Sequence, residues 1–433
     1  MNLFLRRDFL KRAGVAAGAP LLMTSPFARA AGANDRIRAA VIGLGGRGRD
    51  HMLSLAKIPG VEVATFCDPD ENQMAKKALE FEGVAGRKPK LVPDLRVVLE
   101  DRDIDVVTIA ACNHWHALAT VWACQAGKHV YVEKPVSHDI LEGQSMVEAS
   151  RRYNRIVQGG TQRRSSDRFQ KAIALLHAGA IGELYMGRWL FTGPRDSIGF
   201  RDPEQPPSNL HWDLWLGPAP EQAFHRNLVH YNWHWFWDFG NAEMGNNGVH
   251  MMDILRWGLR KGLPSRIQSL GGRYGYKDQA QTPNTQTAQF EYEDGTKILC
   301  EIRGLYSNEQ SGMHFYGSKG SMHLDLAGGF EIFLGRSTKP DLQSKDTGSP
   351  DDMETGHFSN FLDAVRAGDR GKLNCDIEEA EQSTALCHLA NISYRLKREL
   401  SFDPASRRFH DDAEADALLS RAGREPFRIG GKV

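Results

Sequence analysis

The sequence predicts an α/β chain: a doubly wound parallel sheet first, then an α+β domain with an open, mainly antiparallel sheet. Three observations carry this prediction. Apolar runs alternate with helical patterns from residue 36 to residue 159, and such alternation folds as a parallel sheet with right-handed crossovers. The first apolar run ends in Gly43-Leu44-Gly45-Gly46-Arg47-Gly48, and a helical pattern follows at once. After Gly160 the rhythm changes to strand-like runs separated by turn residues and long irregular connections.

Taken in order, strands are expected at 37–42, 61–67, 90–92, 105–110, 129–132 and 155–158. Helices are expected between them, near 46–57, 71–81, 94–100, 114–126 and 139–152. In the second part a helix at 166–178 precedes consecutive antiparallel strands at 265–274, 286–293, 297–304, 313–317 and 321–326. These are joined by turns such as Glu293-Asp294-Gly295. Residues 337–352 are polar and read as a loop. Helices at 355–367 and 376–397 close the pattern, the second with Ala380, Ala385, Leu386 and Leu389 at near-helical spacing. No internal repeat is visible. The expected division is a leader at 1–31, a nucleotide-binding domain at 32–159 and an α+β domain at 160–433.

The glycine run has the context that gives G-x-G-x-x-G its meaning: strand, tight turn, helix N-terminus. Gly43 allows the turn, Gly45 lets backbone approach a pyrophosphate, and Gly48 lets the helix pack on the strand. Gly46 and Arg47 complete the loop. The helix N-terminus presents free N–H groups and a positive dipole end to phosphate. Asp68 follows the second apolar run, twenty residues past Gly48. A carboxylate there suits the ribose hydroxyls of NAD and repels the 2′-phosphate of NADP. The first domain therefore reads as a Rossmann domain that takes NAD in preference to NADP.

The N-terminus carries Arg6-Arg7-Asp8-Phe9-Leu10-Lys11, then a modestly apolar stretch from Ala13 to Met23, then Ala28-Arg29-Ala30. This order of regions is that of a twin-arginine signal with a small-x-small cleavage site. The apolar stretch is shorter than the ~20 residues a membrane span needs. The expected location is thus the periplasm, by way of the twin-arginine export machinery. A nicotinamide protein there has no soluble coenzyme pool, so the cofactor is expected to be tightly held and recycled. Past residue 30 the chain has 49 basic against 53 acidic residues, a balance that offers no footprint for nucleic acid or anionic membrane. The six cysteines show no C-x-x-C spacing. Cys67 and Cys112 end predicted core strands, where small buried thiols are common, so free thiols are expected.

The strand at 129–132 ends in Glu133-Lys134-Pro135. With the glycine fingerprint and the acid after the second strand, this resembles the Gfo/Idh/MocA oxidoreductases, whose open antiparallel C-terminal domain also matches the pattern after Gly160. The resemblance implies that Lys134 sits beside the nicotinamide and the reacting hydroxyl, positioned by Glu133 and Pro135, with a Lys-Pro bond that can be cis. Burial beside a cationic ring lowers a lysine's pKa towards the working range. It also implies that Asn113 and His116, at the carboxyl edge of the sheet, lie near the nicotinamide. Cys112 stands where the family often has proline. His114 and His116 could form half of a metal site, but with no third ligand close in sequence no metal is expected.

The family frequently has Asp and His four residues apart on one helix face, the carboxylate orienting the imidazole. Here the matching positions are Asn246 and His250, so His250 is the candidate general base and an amide replaces its acidic partner. Glu243, His234 and Tyr231 are alternatives, structural roles being commoner for each. Between 211 and 239 the chain gathers Trp212, Trp215, Tyr231, Trp233, Trp235 and Trp237 with three phenylalanines. This reads as a packed aromatic segment or subunit interface from which one or two rings reach a sugar-binding cleft. Nearby His211, His225, His230 and His234 read as packing and hydrogen-bond partners.

The expected activity is hydride transfer between bound NAD and a secondary hydroxyl or keto group of a sugar or sugar derivative. The alternative is an NAD-dependent glycoside hydrolase, which oxidises transiently, eliminates, adds water and reduces again. A non-catalytic sugar-binding relic of the fold is a third reading. The family's open sheet implies a homo-oligomer.

Overall fold

In a computed structural model the described residues are 36–344 and 350–430, with side chains of 350–352 left aside. The expected leader at 1–31 lies outside them. Six parallel strands, β1 (Ile37–Ile42), β2 (Val61–Cys67), β3 (Lys90–Val92), β4 (Val106–Ile109), β5 (His129–Val132) and β6 (Val157–Gly159), lie in the order β3-β2-β1-β4-β5-β6. Helices α1 (Gly46–Ala56), α2 (Glu71–Ala85), α3 (Leu95–Glu100), α4 (Asn113–Gln125) and α5 (Ile140–Arg152) join them. The strand order reverses between β1 and β4. Carboxyl ends diverge at such a switch point and leave a crevice for a ligand.

The second half contains α6 (Asp167–His177), β7 (Leu184–Phe191), a short α7 (Trp212–Leu216) and α8 (Val249–Leu259). It continues with β8 (Arg266–Gly272), β9 (Thr285–Glu291), β10 (Lys297–Arg303), β11 (Gly312–Gly317), β12 (Gly320–Leu324), β13 (Phe330–Leu334) and β14 (Leu342–Gln343). Helices α9 (Pro350–Ala367) and α10 (Ile377–Leu396), strands β15 (Leu400–Asp403) and β16 (Arg408–Phe409) and helix α11 (Ala413–Asp416) complete it. The ten strands form one sheet, ordered β14-β13-β12-β11-β7-β10-β9-β8-β15-β16. Its pairs are antiparallel except β7 with β10, which run parallel.

One face of this sheet is covered. Along β10, Ile298, Cys300 and Ile302 are buried and alternate with more exposed neighbours, the period-2 pattern of a sheet with one packed face. They share a core with Met252 and Leu255 of α8 and Leu386 and Leu389 of α10. The first sheet is covered on both faces, partly by chain from the second half. Phe358 and Phe361 of α9 pack with Met52 and Leu55 of α1 and Tyr131 of β5. Ile377 and Ala380 of α10 pack with Val132 and Val157.

Several expectations need correction. β7 was not anticipated. Its Gly187 interrupts the apolar pattern because Leu255 and Leu259 press against it, 3.0 and 3.2 Å from where a Cβ would sit. The expected loop at 337–352 includes β14 and the start of α9, while residues 345–349 lie outside the described ones. β13, β15 and β16 were also missed. The six cysteines are free thiols.

Candidate active site

The glycine loop is built by close approach. Gly43 has φ +84°, and a Cβ there would lie 2.5 Å from the Ala111 nitrogen; at Gly48 a Cβ would lie 1.8 Å from the Gly43 carbonyl oxygen. Both positions exclude a side chain. At Gly45 and Gly46 a Cβ would meet nothing within 4 Å. Their open faces line a cleft of about 580 Å³, within the usual size range of a cofactor site. Gly45 caps α1 without a side-chain hydrogen bond, which leaves the first N–H groups of the helix available to an anion. The residues present fit a dinucleotide.

Asp68 lies at the carboxyl end of β2 and lines the same cleft. Its Oδ2 accepts from the Leu44 N–H at 2.7 Å and its Oδ1 from the Asp70 N–H at 2.9 Å. Burial pushes its pKa up to about 6, with those two N–H groups opposing the shift.

Arg47 lines the cleft with Gly45 and Gly46, and its side chain also joins an ion-pair cluster. Its guanidinium donates to Glu133 and Glu354, both at 2.7 Å, and to Asp50 at 2.8 Å. Glu133 also meets His51 Nε2 at 3.2 Å. The ligand atoms of His51, Glu133 and Glu354 lie within 4.8 Å of one another, and the cation among them is the guanidinium. Burial opposes ionisation of Glu133, but Arg47 and His51 outweigh it and hold the carboxyl well below its usual range. Glu133 is therefore a fixed anion behind Lys134.

The Lys134–Pro135 bond is cis. Lys134 Nζ donates to the Asn246 carbonyl oxygen at 3.1 Å, and both residues line the cleft. Burial lowers the ammonium's pKa, with Glu133 partly offsetting it. Asn113 and His116 line the same region. Asn113 Nδ2 donates to Asn241 Oδ1 at 3.0 Å. Both ring nitrogens of His116 meet backbone carbonyls, Pro135 at 2.7 Å and Ala111 at 2.9 Å, so this ring holds the loop together. His114 turns instead to the Trp215 carbonyl at 3.0 Å, and the two histidines do not converge on a common point.

The expected Asn246–His250 pair does not form. Residues Met244–Gly248 make one π-helical turn ahead of α8, so the spacing across it is not that of one α-helical face. Among the described residues no hydrogen bond joins Asn246 to His250, and His250 Nδ1 is buried without a partner. His250 is absent from the lining of the cleft. Asp253, one turn further along α8, is gripped by Arg164 Nε at 2.8 Å and by Ser383 Oγ at 2.7 Å. Glu243 is held by Arg195 Nε at 2.8 Å and Nη2 at 3.0 Å, and also by Asn247.

Residues 207–239 form a strap that contributes several side chains to the lining of the cleft. Leu210, Trp215, Phe224, Trp233, Phe236 and Phe239 form its own apolar cluster, while Trp215, Tyr231, Trp233 and His234 face the cleft. The segment thus packs and lines at once. It is tied to the chain just after Asp68: Asn209 Nδ2 donates to Asp70 Oδ1 at 2.7 Å, His230 Nε2 meets Asp70 Oδ2 at 3.1 Å, and His211 meets Glu71 at 3.0 Å. His234 stacks on Trp233 with ring centroids 3.6 Å apart and 19° between planes, and its Nδ1 meets the Tyr231 carbonyl. Burial first, with Lys134 and Arg195 adding to it against that carbonyl, pushes His234 down to about 3. Tyr231 also borders a polar vestibule of about 860 Å³ with Arg195, Asn232 and Trp235. The anchors Asp70 and His230, like the Arg164–Asp253 pair, carried no signal in the sequence beyond their residue types.

Comparison with known proteins agrees with this architecture. A family model described as an oxidoreductase family, NAD-binding Rossmann fold, matches residues 37–161, and its companion, the C-terminal alpha/beta domain, matches 195–429. Inositol 2-dehydrogenase 3 of Saccharopolyspora erythraea is 32% identical over 268 residues, 61% of this chain and 66% of the relative. Inositol 2-dehydrogenase of Salmonella typhimurium is 32% identical over 152 residues, 35% of this chain and 44% of the relative. The chain therefore matches less than two thirds of the length of these relatives. The structure of levoglucosan dehydrogenase with NADH and L-sorbose superposes with a TM-score of 0.66 at 18% identity, covering 85% of this chain and 99% of that one. Among the described residues no helix is long and apolar enough to cross a membrane. An open glycine loop, an acid after β2, Lys134 across the same cleft and two consecutive family matches place this chain in the Gfo/Idh/MocA oxidoreductase family.

Proposed function

We propose that the chain is an exported NAD-dependent oxidoreductase that acts on a secondary hydroxyl or keto group of a sugar or sugar derivative and keeps its cofactor tightly bound. The observation that carries this reading is one cleft lined by Gly45, Gly46, Asp68 and Lys134 together with aromatic residues of the strap. Bound along it, NAD supplies a hydride acceptor. The open glycine faces and the start of α1 hold the pyrophosphate. Asp68 accepts from ribose hydroxyls and disfavours a 2′-phosphate. Lys134, its charged form weakened by burial, donates to the oxygen of the reacting carbon and stabilises charge there. Trp215, Tyr231 and Trp233 give the sugar ring an apolar face and exclude water.

Tight binding is supported by the strap's anchors on Asp70 and Glu71, next to the ribose carboxylate. Export is supported by the Arg6-Arg7 segment. The sugar class is supported by relatives named inositol 2-dehydrogenase and levoglucosan dehydrogenase. A homo-oligomer is supported by apolar residues on the open strands, Tyr185 and Leu270 being 54% and 58% exposed.

The second reading, a glycoside hydrolase with no net redox change, is supported by a relative named as a glycosyl hydrolase family 109 protein of Shewanella pealeana, 30% identical over 169 residues. Protein purified from the periplasm without added coenzyme tests the first reading. Denaturation should release about one equivalent of NAD(H), identified by absorbance and mass. Release of none would remove tight binding, or the export inference on which it is built. Cleavage of a glycoside without added NAD would favour the hydrolase.

A further inference from the structure

We propose that the substrate is a neutral glycoside or oligosaccharide whose second sugar unit lies in the polar vestibule beside the cleft; this rests on the reading of the cleft as an NAD–sugar site. Tyr231 belongs to both spaces, lining the cleft with Lys134 and Asn246 and the vestibule with Asn227, Asn232 and Trp235. The two spaces therefore adjoin at Tyr231, and a substituent on a sugar beside Lys134 reaches the vestibule there. The cleft, about 580 Å³, has a dinucleotide to hold as well, whereas the vestibule adds about 860 Å³. A free hexose beside Lys134 would leave that second space unused.

The vestibule offers what a saccharide needs, polar groups that match hydroxyls set around aromatic rings. Asn227 is 4% exposed. Its Nδ2 donates to Gln279 Oε1 at 2.9 Å and to the Gly199 carbonyl at 3.3 Å, which fixes the amide and leaves Oδ1 without a partner among the described residues. An acceptor held in that way costs free energy that a ligand hydroxyl recovers. The Asn232 side chain is likewise without a partner among the described residues. Trp235 and Tyr231 supply the rings, and the Arg195 guanidinium braces Trp235 from 5.6 Å off its centroid.

Charge balance selects a neutral ligand. Arg195, Arg201 and Arg226 line the vestibule, and so do Asp196, Asp202 and Glu204. Two of the arginines are already neutralised, Arg195 by Glu243 at 2.8 Å and Arg226 by Glu204 at 2.7 Å. That leaves Arg201 alongside Asp196 and Asp202, neither of which has an ion pair among the described residues. A nucleotide diphosphate would meet an excess of acid there, whereas its recognition calls for unpaired cations. Sugar hydroxyls donate to carboxylates and accept from guanidinium groups, so they use both signs at once.

Two measurements on the full-length protein test this. Saturation-transfer NMR with NADH present reads which rings of maltose, cellobiose and lactose touch the protein. We expect both rings of at least one disaccharide to receive saturation. Asn232→Trp fills the vestibule and should cut transfer to one ring at least fivefold while sparing the other. Arg201→Ala, at an exposed side chain without a partner among the described residues, should weaken disaccharide binding at least threefold and leave the thermal midpoint unaltered. Turnover with NAD then compares each disaccharide with glucose, galactose and UDP-glucose. The best disaccharide should exceed these at least tenfold in kcat/KM, and Asn232→Trp should erase that margin. Transfer confined to one ring in the parent, no binding of any disaccharide, or a preference for free hexose or UDP-glucose overturns the proposal. If the parent does not bind NADH, the reading of the cleft has failed, and the ring-resolved transfer measured without cofactor still decides whether the vestibule takes a sugar.

Discussion

Asp68 has two occupations, and both favour its carboxylate form. Its oxygens pin the glycine loop and the Asp70 N–H from the end of β2, and as a carboxylate it also has lone pairs left for ribose hydroxyls. Burial raises its pKa to about 6. Hydroxyl donors favour the ionised form, so cofactor binding lowers that pKa and is coupled to proton release. The sign follows: affinity for NADH is full above about pH 7 and falls as pH drops through 6. Fluorescence titrations from pH 5 to 8 should show that decline in the parent. Asp68→Asn should bind more weakly at pH 8 and be flat across the range. A pH-independent parent would mean that Asp68 serves the loop alone.

At the scale of elements, α8 is held by a pair that no local pattern announces. Asp253 and Arg164 are 89 residues apart in sequence, with side chains 1% and 7% exposed. Removing one partner of a buried ion pair leaves an uncompensated charge, which costs about 3 kcal/mol. Asp253→Asn should therefore lower the unfolding free energy by roughly that much, read from denaturant titration, while leaving NADH affinity intact, since neither residue lines the cleft. The same contrast explains which elements were legible. β1, β2, β5 and the helix after the glycine loop are written in short apolar runs and turn residues adjacent to one another, and the structure returns them within about a residue. Asp68 and Lys134 were legible because their positions follow from strand ends. The π turn was not. Gly245-Asn246-Asn247-Gly248 has the composition of an ordinary helix start, and within the turn Gly248 packs against Trp189 and Met244, 3.2 and 3.3 Å from a Cβ, contacts that local sequence does not reveal. The missing Asn246–His250 hydrogen bond was illegible for that reason, and the Arg47–Glu354 pair because its two residues lie 307 apart along the chain.

For the whole molecule, the strap's anchors make the rate at which a cofactor would leave testable. A dinucleotide in the cleft would meet a segment of the second half that is fastened to the first half just after Asp68. The individual fastenings differ in worth. The His230–Asp70 contact is half-exposed on the histidine side, 51%, and such pairs contribute about 0–1 kcal/mol. The Asn209–Asp70 bond reaches a carboxylate that is 8% exposed, and bonds to charged groups contribute about 1.5–3 kcal/mol. Asp70 itself is unsuitable for substitution, because it also caps α2 through the Asn72 and Gln73 N–H groups. Cutting from the strap side avoids that. His230→Ala should raise the NADH dissociation rate less than tenfold, Asn209→Ala about tenfold or somewhat more, and the pair together more than either, since 1.4 kcal/mol corresponds to a factor of ten. Stopped-flow displacement of NADH fluorescence reads all three. Association rates should rise as well, because the same contacts must open on entry. If dissociation quickens while association stays fixed, the anchors hold the bound cofactor without gating its path; if neither rate moves in the double variant, retention lies in the glycine loop and Asp68 alone.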